Sequence, residues 1–237
     1  MTEHKVKLPP GMPSKMKGLK RDDVGRPVPF FVAYVDGKPD FRTMDGRHLR
    51  MCLLEDLCWV CGTKLPRRYG KRTGTFVAGP MCLINRTSAE PPSHRECAEW
   101  SARACPFLTN PNKGRREANM PEGGTVAGVS IDRNPGVTAL IESDEWHPWD
   151  AGNGMLIEFR RIRSVEFMAE GRPASVKEVM ESIETGIPLL YDMAKDEGQG
   201  ATLALMRKLC EALGWIPDSD VALRTGNYPM TETLAFP

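Results

Sequence analysis

The feature that most constrains this chain is a pair of short cysteine motifs. Cys58 and Cys61 form a CxxC motif with Gly62 directly after it, and thirty-two intervening residues separate this motif from His94 and Cys97, which form HxxC. Two thiolates in one tight turn can reach the same tetrahedral metal, and a glycine relieves the backbone strain of that turn. Residues three apart share one face of a helix. The spacing therefore predicts one zinc ion per chain, bound by four side chains: Cys58, Cys61, His94 and Cys97.

The remaining cysteines offer one alternative ligand. Cys82 could replace His94, which would leave that histidine free for chemistry. Cys105 lies eight residues beyond Cys97, about 12 Å along a helix, so we expect a buried thiol there rather than a ligand. Cys210 stands alone in an apolar helical pattern and is expected in the core. A redox role for the CxxC motif lacks the βαβ context of thioredoxin-like proteins.

The order of the two motifs predicts the local fold around the metal. A CxxC turn followed by two ligands in the first turn of a helix is the arrangement of a treble-clef finger, and the positive end of the helix dipole favours a thiolate. Four protein ligands fill a zinc tetrahedron and leave no position for water. The predicted zinc is therefore structural.

Composition and apolar runs bear on the compartment. The 237 residues are 41% hydrophobic and 27% charged, as is typical of globular proteins. The longest apolar runs are only a few residues, far short of the roughly 18 to 20 that cross a bilayer. The first twenty residues are basic and rich in proline, without the apolar segment of a secretory signal. We therefore expect a cytoplasmic protein with no membrane partner, in which the cysteines stay reduced.

The charge is distributed unevenly along the chain. Residues 1–120 hold 22 Lys and Arg against 12 Asp and Glu, a net charge of +10, and residues 121–237 hold 10 against 19, a net charge of −9. Such asymmetry is typical either of a surface that seeks anions or of two halves that attract each other. One basic set lies in the loop after the CxxC motif, where it could contact phosphates or remain a solvated loop: Lys64, Arg67, Arg68, Lys71 and Arg72.

The predicted fold class is α+β, with a treble-clef-like zinc module followed by a small antiparallel sheet and C-terminal helices. Changes in composition divide the chain into a flexible basic lead-in, a zinc-binding domain, a linker rich in glycine and proline, an α+β domain and a C-terminal tail. These segments are residues 1–24, 25–110, 111–124, 125–217 and 218–237.

Local sequence signals predict the positions of the helices, strands and turns. Asp36-Gly37 predicts a hairpin turn, and the apolar run at 75–84 is expected to be a strand. Ser93 and Ser175, each with a glutamate three residues later, predict capped helix starts. The second of these helices is expected to end at Gly186, and Pro188 then suits the first turn of another. A last helix is expected at about 201–213, and strands at 125–131, 137–143, 155–159 and 162–169.

Tests for known catalytic motifs find no HExxH, P-loop, GxSxG or GxGxxG pattern. Asn85, Arg86 and Glu90 could form a polar site beside the metal, with His94 if Cys82 takes its place as ligand. Loop residues of these types are more often turn and cap residues. A second candidate ligand site is Trp146-His147-Pro148-Trp149, where two indoles could stack a ring, although such clusters more often close the end of a sheet.

Four longer motifs carry a resemblance to a known family: CWVCG at 58–62, GPMCLINRTSAEPPSHRECAEW at 79–100, ACPFL at 104–108 and GRPASVKEVMESIETGIPLL at 171–190. With these motifs the chain resembles a family of uncharacterised zinc-binding-like proteins of bacteria and their phages. The resemblance covers most of the chain. It implies a phage or mobile-element origin and a role against or inside host nucleic-acid machinery, without implying an activity or a catalytic residue.

The sequence thus favours a zinc-stabilised binding protein whose basic N-terminal half engages nucleic acid or an acidic protein surface. Two alternatives stay open. One is a zinc-associated hydrolase or nuclease with its polar site at Asn85, Arg86, Glu90 and His94. The other is a phage-type inhibitor of a host factor.

Overall fold

The computed structural model of the chain describes residues 6–112 and 134–216. It has both helices and antiparallel sheets, which confirms the α+β class. The strands are β1 (Val32–Val35), β2 (Lys38–Met44), β3 (Arg67–Arg68), β4 (Lys71–Arg72), β5 (Gly74–Ala78), β6 (Thr87–Ser88), β7 (Thr138–Ser143), β8 (Trp146–Asp150), β9 (Met155–Phe159), β10 (Ile162–Ala169) and β11 (Arg172–Pro173). The helices are α1 (Gly46–Glu55), α2 (Pro80–Asn85), α3 (Arg95–Ala104), α4 (Val176–Glu197) and α5 (Gln199–Leu213), with a 3-10 turn at Ser14–Met16.

Two antiparallel sheets and two hairpins organise these strands. The larger sheet has the order β11-β10-β7-β5, and a three-stranded sheet has the order β6-β9-β8. The hairpins are β1–β2 and β3–β4. Strand β7 lies between β5 and β10, and its Ala139, Leu140 and Ile141 are fully buried. The centre of the larger sheet is therefore also the centre of the hydrophobic core.

The larger sheet joins the two stretches of chain that the sequence assigned to separate domains. Strand β5 comes from the predicted zinc-binding domain and pairs with β7 of the predicted α+β domain, so that Phe76 lies opposite Ile141. One continuous core contains Cys58 and Cys97 together with Ile183 of α4. The two stretches therefore share their sheet and their core. Most of the predicted linker, the expected strand at 125–131 and the tail at 218–237 lie outside the described residues.

The N-terminal segment packs on this core. Met16 is 1% exposed, and Leu8, Met12 and Leu19 lie against the same cluster. For residues 6–24 this differs from the expected flexible lead-in, because four apolar side chains spaced among the lysines and prolines provide enough surface to bury; residues 1–5 lie outside the described residues.

Helices α4 and α5 cover the core from one side. The predicted capping box at Ser175 is confirmed, since the Ser175 hydroxyl accepts from the Glu178 amide and the Glu178 carboxylate accepts from the Ser175 amide. The predicted break at Gly186 is wrong, because α4 runs through Gly186 and Pro188 to Glu197. Ile187 and Leu190 are buried on either side of the proline. Their burial favours a continuous helix despite the hydrogen bond that Pro188 cannot donate.

Two further expectations need correction. The apolar run at 75–84 is a strand only as far as Ala78; Gly79 then caps α2, which has Pro80 at its first position. The first predicted capping box is also absent, since α3 is preceded by His94 without a side-chain cap. Ser93 instead exchanges two backbone hydrogen bonds of 2.8 Å with Thr75 of β5. This bridge fixes the start of α3 against the larger sheet.

None of the helices in the described residues is long and apolar enough to span a membrane.

Candidate metal centre

Four buried side chains form a cluster of metal-binding groups in the N-terminal half. The ligand atoms of Cys58, Cys61, His94 and Cys97 all lie within 4.8 Å of one another. All four residues are buried, and Cys58 and Cys97 are fully buried. The donor set of three sulfurs and one imidazole nitrogen, converging on one point, is compatible with a metal ion.

The CxxC turn presents its two sulfurs from a closed loop of backbone. The Cys58 amide donates to the Thr63 carbonyl over 2.8 Å, and the Gly62 amide donates to the Cys58 carbonyl over 2.8 Å. Gly62 has a φ of +72°, and a Cβ there would lie 2.7 Å from a carbon of the Phe30 ring. The turn therefore requires glycine at this position for both its backbone conformation and its packing.

Several donors point at the sulfurs of this turn. The backbone amides of Cys61 and His94 donate to Cys58 Sγ over 3.4 and 3.3 Å, and Thr63 Oγ1 lies 3.2 Å from Cys61 Sγ. Such donors stabilise negative charge on sulfur. The CxxC turn is therefore arranged for thiolates.

The start of α3 supplies the other two ligands. His94 immediately precedes the helix and Cys97 lies in its first turn, where the helix dipole favours an anion. His94 Nε2 lies 2.8 Å from the Lys64 carbonyl, and Nδ1 lies 3.4 Å from Cys61 Sγ. Because a carbonyl only accepts, Nε2 carries the proton. This leaves Nδ1 as the nitrogen that faces the sulfurs, an orientation that second-shell hydrogen bonds commonly impose on metal-binding histidines.

Neighbouring groups shift the pKa values of the clustered side chains in different directions. Hydrogen bonds from Cys58 and Cys97 lower the pKa of the Cys61 thiol far below its ordinary value, whereas hydrogen bonds with Cys58 and Cys61 raise the pKa of Cys97. Burial by itself would lower the pKa of His94, but hydrogen bonds with Cys58 and Cys61 outweigh it and raise that pKa to about 10. Without a cation among them, the thiols and the imidazole therefore share protons. A metal ion would displace those protons.

The other cysteines lie outside this cluster. Cys82, the alternative fourth ligand, is half-buried and is not part of the group around Cys58. Cys52 is buried in a neighbouring apolar cluster, and burial raises the pKa of its thiol to about 12. Cys105 is half-buried at the end of α3. Cys210 is exposed, so the expectation that it belongs to the core is wrong: it lies on the outer face of α5.

The basic loop residues predicted to contact phosphates form a small antiparallel hairpin. In β3–β4, Arg67 lies opposite Arg72 and Arg68 lies opposite Lys71. Arg67 and Arg72 donate to Asp56 over 3.2 and 2.9 Å. Lys64, just before the hairpin, donates to the carbonyl of Glu55. These acceptors engage three of the five predicted cations; of the other two, Arg68 and Lys71, Arg68 lies 3.8 Å from Glu142.

The predicted polar site at Asn85, Arg86 and Glu90 is engaged mainly by structural contacts. Lys208 of α5 donates to the Asn85 carbonyl over 2.9 Å. Arg86 donates to the Arg160 carbonyl and to Glu211 of α5 over 2.9 and 2.7 Å. These contacts attach α2 to α5, and His94 is occupied in the metal cluster.

The indoles of the Trp146–Trp149 segment lie apart. Trp146 is 1% exposed and packs edge-on against Phe76, whereas Trp149 is 47% exposed. Because side chains of a strand alternate between faces, His147 and Trp149 share one face of β8 and Trp146 faces the other. The two indoles therefore lie on opposite faces of β8, which does not favour the alternative in which they stack one bound ring, and Trp146 packs at the edge of the core.

Sequence reasoning missed one feature of the site, which is the role of Lys15. Its Nζ lies 2.8 Å from the Glu96 carboxylate, and its pKa is raised chiefly by that hydrogen bond, with smaller contributions from Cys97 and Cys61. A cation of the N-terminal segment thus lies near the thiols.

Comparison with known proteins gives no relative: no family model, no curated protein and no solved structure matches the chain. The candidate site therefore rests on its own geometry and chemistry.

Proposed function

We propose that the protein is a zinc-stabilised nucleic-acid-binding protein in which the metal centre is structural. Zinc suits the donor set, because three thiolates and one imidazole are a common structural zinc site. Cys58, Cys61, His94 and Cys97 would hold the ion, and four protein ligands complete its tetrahedron. Zinc would then supply folding free energy. A treble-clef-like module, with the CxxC turn first and the start of α3 second, is consistent with this assignment.

The observation that carries the binding proposal is the charge distribution of the β3–β4 hairpin. Two pairs of cations lie directly across the hairpin, and like charges at opposed positions repel each other. The Asp56 carboxylate forms ion pairs with both Arg67 and Arg72 and offsets part of their charge. The pair of Arg68 and Lys71 has a single acidic neighbour among the described residues, Glu142, which lies 3.8 Å from Arg68. A phosphate chain would relieve this repulsion.

The metal centre also positions this hairpin. His94 Nε2 donates to the carbonyl of Lys64, and the next residue, Leu65, donates its amide to the Asp56 carbonyl over 2.8 Å. Lys64 and Leu65 lead directly into β3. His94 and the backbone carbonyl of Asp56 therefore both fix the chain at the base of the hairpin, and the Asp56 carboxylate binds the two arginines of the hairpin. We expect zinc binding and nucleic-acid binding to depend on each other for this reason.

The test is a salt titration of binding to fluorescein-labelled nucleic acid. Replacing both Arg68 and Lys71 with glutamine should weaken binding, and it should lower the slope of log affinity against log salt by up to about 2, since each lost phosphate contact removes roughly 0.7 to 0.9 from the slope. The matched control replaces two exposed cations of α4 and α5, Lys195 and Arg207, with glutamine. This control changes the net charge equally and should leave the slope near that of the wild type.

Equal effects of the two double variants would show that only net charge matters, which contradicts a site at the hairpin. Absence of salt-sensitive binding to any nucleic acid, together with binding to an acidic protein surface, would contradict the nucleic-acid proposal itself.

A further inference from the structure

The apex of the β3–β4 hairpin carries an aromatic ring with no packing role. Tyr69 is 98% exposed, whereas two less exposed rings of the β1–β2 hairpin each have a cation over one face. Lys20 lies over the Tyr34 ring and Arg26 over the Phe41 ring, at 5.3 and 5.1 Å. Tyr69 therefore differs from these rings in offering both of its faces to a ligand.

The turn itself holds the ring outward. Tyr69 and Gly70 have φ values of +52° and +77°, the left-handed pair typical of a tight two-residue hairpin turn. A bulky residue adopts this conformation only rarely. The short turn therefore leaves Tyr69 at the apex rather than folded back onto β3 or β4.

The base of the hairpin is firmly attached. Arg67 and Arg72 both donate to Asp56. The guanidinium of Arg72 also lies 4.1 Å from the centre of the Trp146 ring, and Trp146 is buried in the core. The hairpin is thus tied to the core through one arginine, and its apex is presented on a fixed support.

Adjacent to the ring are the two cations that Asp56 does not reach. Arg68 and Lys71 flank the Tyr69-Gly70 turn and pair across the hairpin. Side chains alternate between the faces of a strand, so this pair lies on the face opposite that of Arg67 and Arg72. An aromatic ring between two cations in the sequence offers a nucleotide both a stacking face and positive charge for its phosphates.

We propose that the hairpin apex binds unpaired nucleotides, with the Tyr69 ring stacking on a base and with Arg68 and Lys71 contacting the flanking phosphates. This inference rests on the proposed function and specifies its substrate as single-stranded nucleic acid. The faces of bases in a duplex are covered by their stacked neighbours, whereas an unpaired base offers its face to an aromatic ring. A single ring at a narrow apex therefore favours a single strand.

The experiment measures binding of the zinc-loaded full chain to a fluorescein-labelled oligothymidylate of about 16 nucleotides, a length within the range of single-strand site sizes, and to a duplex of the same sequence. Tyr69→Ala should weaken single-strand binding about 5- to 100-fold, as expected for the loss of one stacked base. Tyr69→Phe should retain the affinity, because the phenyl ring still stacks. Tyr34→Ala, at the exposed ring covered by Lys20, is the matched control and should bind like the wild type. Circular dichroism checks that each variant is folded.

The salt dependence separates stacking from charge. Tyr69→Ala should leave the salt slope unchanged, whereas Arg68→Gln with Lys71→Gln should lower it. Two results would overturn this inference and leave the proposed function intact. One is tighter binding to the duplex than to the single strand, with a dependence on Arg68 and Lys71. The other is a Tyr69→Ala variant that binds the single strand as tightly as the wild type does. No binding to either nucleic acid would overturn both.

Discussion

At the scale of single residues, the geometry of the candidate metal centre depends on residues outside its four side chains. Gly62 is one example, since a side chain there meets the Phe30 ring, which is itself stacked on His48 at 4.0 Å. Gly62→Ala should destabilise the protein by about 1 to 3 kcal/mol. The control is Gly70→Ala, which has a similar φ of +77° and no atom within 4 Å of the added carbon. Urea denaturation should show a clearly smaller loss for Gly70→Ala, and equal losses would contradict the packing argument.

Thr63 is a second residue of this kind, because its hydroxyl lies 3.2 Å from Cys61 Sγ. Thr63→Val should lower the zinc affinity about tenfold, the lower end of the range for outer-shell partners of metal ligands. Thr63→Ser keeps the hydroxyl and should keep the affinity. Competition with a chromogenic chelator measures both variants, and an unchanged affinity in Thr63→Val would show that the hydroxyl does not support the thiolate.

The four clustered side chains, Cys58, Cys61, His94 and Cys97, are also the part of the candidate site that the sequence predicts best. Their spacing alone identifies them, since CxxC and HxxC motifs carry their geometry locally. The hydrogen bonds from Thr63 to Cys61 and from His94 to Lys64 are not predictable in the same way. They depend on how the chain between the motifs folds back.

At the scale of elements, helix starts show which local signals decide structure. The Ser175 signal is confirmed, whereas the equally good signal at Ser93 is overridden because Ser93 pairs with Thr75 of β5. Helix α1 is not among the elements expected from the sequence, although Asp45 caps it by accepting from the Arg47 amide over 2.8 Å. Tertiary pairing and burial, as at Ile187 in α4, determine the elements that the local pattern leaves ambiguous.

The cap of α1 gives an element-scale prediction. Hydrogen bonding by the Arg47 side chain lowers the pKa of Asp45 from 3.8 to about 2. Because the pKa is lower in the folded state, this stabilisation is present above the unfolded pKa of 3.8 and is lost as the pH falls toward 2. Asp45→Ala should cost about 1 kcal/mol at neutral pH. Asp45→Asn keeps a capping oxygen, should cost less, and should reduce the loss of stability in acid, as measured by urea unfolding at several pH values. If the free energy of unfolding of Asp45→Asn depended on pH as it does in the wild type, the acid-sensitive stability could not be assigned to the Asp45 carboxylate.

At the scale of the whole molecule, the metal cluster and the C-terminal helices belong to one core. Cys58 and Cys97 pack in the same cluster as Ile183 of α4 and Leu213 of α5, and strand β5 continues the sheet of β7 and β10. The charge asymmetry between the two halves could not reveal this shared sheet, because pairing between distant strands leaves no local signal in the sequence.

Removal of zinc should therefore affect the entire fold. Incubation with a strong chelator should reduce the helical circular dichroism of α4 and α5 together with the near-ultraviolet signal of the buried Trp146, and thermal unfolding of the remaining structure should shift to lower temperature. A chelated protein that keeps the full helical signal and its own sharp unfolding transition would show that the metal supports only a local module.

The most direct test of the central claim is the zinc content of the purified chain and of its single variants, by elemental analysis. The account predicts one zinc per chain in the wild type and in Cys82→Ser, and loss of zinc with loss of fold in Cys58→Ser, Cys61→Ser, His94→Ala and Cys97→Ser. Zinc retained by a folded His94→Ala protein but lost from Cys82→Ser would contradict it, and would place a free histidine beside the metal.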